Sequence, residues 1–61
     1  MLISEAIVAL KDEAETTEDI KRLRAIEREL TKRQAWDYAR WVNSKRQHLE
    51  REREHREREA A

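Results

Sequence analysis

Not one glycine or proline occurs among these 61 residues. A tight turn that needs a positive φ must then be made by a residue that pays a steric penalty there, which argues against β-hairpins and sandwiches. The chain is instead rich in Ala, Leu, Glu, Lys, Arg and Gln, the strong helix formers. The expected fold class is all-α. Cysteine is also absent, which removes disulfides and thiolate chemistry.

A chain of this length makes one small domain, residues 1–61, and buries a modest fraction of its surface. Self-association is the expected remedy, with a two-fold dimer as the default. The longest apolar stretch, Ala6 to Leu10, is far too short to span a bilayer. Met1-Leu2-Ile3-Ser4-Glu5 lacks the basic start and apolar core of a secretory signal, so a cytoplasmic location and no membrane partner are expected.

The formal net charge is zero, yet the charges are segregated. Residues 1–20 hold one cation and six acids, residues 21–46 nine cations and three acids, and residues 47–61 four arginines and five glutamates. Ser4 has the character of an N-cap, with Ile3 and Val8 placed as a hydrophobic staple. Ile3, Ala6, Ile7, Leu10 and Ala14 then recur at helical spacing, which predicts helix 1 over residues 4–14. A turn at residues 15–17 follows, where Thr16 and Asp19 have capping-box spacing.

From Thr17 the pattern predicts one long helix 2 to about residue 58, a rod of roughly 60 Å. Its apolar stripe holds Ile20, Leu23, Ile26, Leu30, Tyr38, Trp41, Val42 and Leu49, but it also admits Glu27, Gln34, Asp37 and Lys45. With Ile7 and Leu10 of helix 1, these apolar residues are the expected core and self-association contacts. The architecture predicted is a helical hairpin, with short acidic helix 1 folded on long helix 2, pairing into a dimeric bundle. Residues 50–61 read as a solvated extension held by Glu50–Arg53, Arg51–Glu54, Glu54–Arg58 and Arg53–Glu57 pairs.

No cofactor or catalytic motif emerges. A phosphate-cradling loop needs glycines, and a nucleophile needs an oriented base in a pocket that excludes water. His48, Glu52 and His55 share one helical face and form a weak candidate for a borderline metal such as zinc, without evident outer support. The basic segment 21–46, interleaved with rings, raises RNA or DNA binding as an alternative, though its cations are spread around the helix.

All three aromatic residues, Trp36, Tyr38 and Trp41, fall within six consecutive positions. On a helical wheel Tyr38 and Trp41 lie within the stripe, whereas Trp36 points almost to the opposite side. Lys32, Arg33 and Arg40 frame it. Trp and Arg are the residues most enriched among interface hot spots, so these four are the expected partner-binding surface. The function expected is therefore a non-catalytic protein-binding module, with a purely structural assembly element as a further alternative.

Overall fold

A computed structural model describes residues 4–60, and it is all-helical. Three helices follow in order: α1 (Glu5–Thr16), α2 (Ile20–Lys32) and α3 (Trp36–Ala60). Ser4 caps α1 by accepting from the Ala6 amide at 3.2 Å. Ile3, the other half of the expected staple with Val8, lies outside the described residues. Helix 1 runs two residues further than its apolar pattern, to Thr16, whose hydroxyl donates back to the Glu13 carbonyl at 3.2 Å.

The connection to α2 is built by short polar side chains. Thr17 Oγ1 accepts from the Asp19 amide, and Asp19 in turn accepts from the amides of Lys21 and Arg22. Asp19 is thus the N-cap of α2, and the Thr16 capping box is not formed. Helix 2 begins at Ile20 rather than Thr17.

The larger correction lies at residues 33–35. The expected single helix from 17 to 58 is cut there, and α3 folds back antiparallel to α2. Arg33 ends the helix, Gln34 takes a left-handed backbone (φ 60), and Ala35 leads into α3. The Ala35 amide donates to the Leu30 carbonyl at 2.9 Å and the Gln34 amide to Thr31 at 3.0 Å. That is the double hydrogen bond of a Schellman terminus, and Ala35 packs on the core beside it. Gly is the usual residue at this position, so its absence hid the break. A non-Gly residue pays roughly 1 kcal/mol for the left-handed backbone, and the orphan carbonyls satisfied by the motif offset it.

The fold-back puts two apolar faces together. Leu23, Ile26 and Leu30 of α2 meet Val42 and Ala39 of α3, with Ala14 of α1 closing the third side; all but Ala39 are fully buried. Ile7, Leu10, Ala35, Tyr38 and Leu49 pack partly buried around this centre, and Ile20 is half-buried. The molecule measures 49 × 17 × 14 Å, shorter than the rod. Val42 therefore needs no second copy to cover it, because α2 of the same chain does so.

Two polar residues that mar the stripe are partnered. Arg46 donates to Glu27 at 3.2 Å and to Glu50 at 3.1 Å, and it also reaches Asn43. Lys45 Nζ donates to the carbonyls of Ala14 (2.6 Å) and Glu15 (3.0 Å) at the end of α1. The last turn of α1 has no basic residue of its own, so α3 supplies the cation that its dipole favours.

Candidate functional site

The α2–α3 turn forms one tip of the molecule, and all four residues of the expected partner surface gather at it. Lys32 and Arg33 finish α2, Trp36 is the first residue of α3, and Arg40 stands one turn further along. All four are exposed. Trp36 is 59% exposed, the most of any large apolar side chain described. Opening a helix, it projects beside the turn without a preceding helical turn to lie against. Folding gains little from an indole in that place.

The charges of the tip differ from those of the shaft. Along the shaft, Arg22 forms a bidentate pair with Glu13, Arg24 meets Glu50 at 2.9 Å, and Arg46 bridges Glu27 and Glu50. The Arg22 guanidinium, hydrogen-bonded to Glu13, holds that carboxyl below its ordinary value. Arg24, and then Arg46, do the same to Glu50. Burial opposes the charge of Arg46, but the two carboxylates outweigh it and the guanidinium is held more firmly protonated. These carboxylates are pushed toward the ionised form, as expected of structural ion pairs.

At the tip, Lys32 pairs loosely with Glu29 at 3.6 Å. Arg28, Arg33 and Arg40 have no salt-bridge partner among the described residues. Three guanidiniums and an indole thus stand available at one end of a rod whose other core-flanking arginines are occupied.

The metal candidates are not brought together. His48 faces Glu52 at 3.0 Å, while His55 faces Glu59 at 3.0 Å one turn beyond. No group of three potential ligands is assembled among the described residues. Of the four ion pairs expected in the tail, only Arg53–Glu57 forms among the described residues, at 3.4 Å; Glu50 is drawn instead to Arg24 and Arg46. The hollows along the α2–α3 seam are open and lined mainly by charged side chains, for example Arg24, Glu27, Arg28, Thr31, Lys32 and Arg46.

No protein-family profile matches the chain, and neither a curated protein nor a solved structure does. Among the described residues, no helix is long and apolar enough to cross a membrane.

Trp41 departs most from the expected core. It is 41% exposed, beside Lys45, the residue of α3 that reaches the end of α1. Lys45 Nζ lies 6.0 Å from its ring centroid, and Lys11 Nζ lies 5.5 Å from that of Tyr38. Sequence periodicity set Tyr38 and Trp41 in one stripe as core or self-association contacts; Tyr38 packs against the core and Trp41 does not. The periodicity missed that α2 folds onto a neighbouring arc of α3 and leaves Trp41 at the margin.

Proposed function

We propose that the chain is a non-catalytic protein-binding module that docks the tip of its hairpin on a larger protein, as a small adaptor, regulator or inhibitor. One observation carries this reading: Trp36 stands most exposed of the large apolar side chains, at the same tip as Arg33 and Arg40, which have no ion partner among the described residues. An indole anchor flanked by guanidiniums is the composition of an interface hot spot. Lys32 borders the same surface. The module works in the cytoplasm and self-associates as a dimer through a face separate from the tip.

The test is capture of a partner from native lysate with wild type and Trp36→Ala. The variant keeps its helicity and oligomeric state and loses about 2 kcal/mol or more of binding. Equal capture by both proteins contradicts the assignment.

A second reading, RNA or DNA binding, draws support from the hairpin face turned away from α1. Arg24, Arg28, Lys32 and Arg46 lie on that side against Glu27 and Glu50. Glu27 and Glu50 already engage Arg24 and Arg46, which weakens the field available to phosphates. Steep loss of binding with salt, and loss of capture after nuclease treatment, favour this reading over protein docking.

A further inference from the structure

Trp41 is a large ring that folding leaves 41% exposed, and the charges around it are arranged in a particular way. Asp37 precedes it by four residues and Lys45 follows it by four, so the three share one face of α3. Asp37 has no hydrogen bond or salt bridge from its carboxylate among the described residues. Lys45 uses two of its three ammonium donors on the Ala14 and Glu15 carbonyls, leaving one to give.

An acid, a ring and a base at equal steps form a pattern that complements itself when reversed. If two copies of α3 lie antiparallel about a two-fold axis through Trp41, residues equally far from Trp41 in opposite directions face each other. Asp37 of each copy then meets Lys45 of the other, and the two indoles meet on the axis. A parallel pairing in register sets Asp37 on Asp37 and Lys45 on Lys45. The charges thus select the antiparallel arrangement, as well as a second copy in preference to an unrelated surface.

We infer that this chain dimerises through the Asp37–Trp41–Lys45 face of α3, antiparallel and centred on Trp41. The inference rests on the self-association included in the proposed function and names its surface. Across the two-fold axis the tips point in opposite directions, so each Trp36 stays open and the dimer presents two docking sites.

The experiment is sedimentation equilibrium on the full chain over a concentration series, with circular dichroism of every variant as a check on folding. Wild type dimerises. Asp37→Lys sets two like-charged pairs across the axis and weakens the dimer about tenfold, with Asp37→Asn falling between. Lys45→Glu also weakens the dimer, and an equimolar mixture of Asp37→Lys with Lys45→Glu regains it as a heterodimer. Should Lys45→Glu lose helicity through its contact with α1, the graded series at Asp37 and Trp41→Ala decide the matter alone. A wild type that stays monomeric up to hundreds of micromolar overturns self-association itself. A dimer indifferent to both Asp37→Lys and Trp41→Ala leaves self-association standing and overturns this face.

Discussion

The two halves of α3 are written in the same helix-forming residues but are held by different forces. Residues 36–50 lie on α2 and α1, with Val42 fully buried and Arg46 fixed by two carboxylates. Residues 51–60 are exposed at every position; the first of them still flank the open start of α2, where Arg51, Arg53 and Glu54 line a groove with Ile20 and Lys21. Their contacts are local, such as Arg53–Glu57 and the looser Arg56–Glu52 at 4.0 Å. An arginine in the first half completes a tertiary structure, whereas in the second it decorates a helix already favoured by propensity. Ion pairs in a sequence therefore say little about stability until their burial is known.

The core carries the largest single-residue effect. Leu30→Ala removes a fully buried side chain beside the α2–α3 turn and costs about 2–5 kcal/mol. Chemical denaturation reads the loss, and α2 and the first half of α3 melt together because neither buries its face alone.

The next contrast uses one residue type in both halves. Arg46→Ala leaves Glu27 and Glu50 each short of a partner at a site only 16% exposed, and costs about 1–2 kcal/mol. Arg53→Ala, at 72% exposure, changes stability by less than about 0.5 kcal/mol. Equal effects of the two, measured by thermal melting, erase the distinction between the halves.

Gln34→Gly sharpens the account of the turn. Relieving the left-handed backbone at φ 60 stabilises the protein by about 1 kcal/mol. A continuous helix through residue 34 would instead lose about that much on gaining a glycine, so the sign of the change decides between them.

Much of the fold was legible in the sequence. Helical composition, the Ser4 cap and the spacing of Leu23, Ile26 and Leu30 lead directly to what the structure contains. The break at Gln34 was not legible, because helix termini are read from Gly and Pro and this chain has neither. Lacking that stop, the stripe ran through the turn, and Val42 was left waiting for a cover that α2 provides. Glu27 and Lys45 looked like flaws for a related reason. Their partners, Arg46 and the end of α1, are distant in sequence and adjacent only once the chain turns back. At the candidate site, the wheel set Trp36 apart from Tyr38 and Trp41, and Trp36 is the most exposed of the large apolar side chains described. The wheel did not anticipate that Trp36 opens a helix at a tip, with Arg33 across a turn rather than along the same helix.

The smallest effect belongs to the tail. Deleting residues 51–61 shifts the unfolding free energy by no more than about 0.5 kcal/mol and leaves the near-ultraviolet signal of the aromatic residues intact. A larger loss assigns the tail a contact that its exposure does not suggest.

The reversal of the chain at Gln34 builds the core and makes the tip that carries Trp36. It is tested most directly by the distance between Lys21 and Glu54, which line one groove at the open end of the hairpin. No native cysteine competes for labels at those positions. Pulsed electron spin resonance on the doubly labelled protein, diluted with unlabelled chain, gives that distance within one molecule. The hairpin predicts about 10–20 Å, from the 8–10 Å spacing of packed helices plus the label arms. A single helix through residues 33–35 predicts about 50 Å, and a distribution centred there contradicts the account.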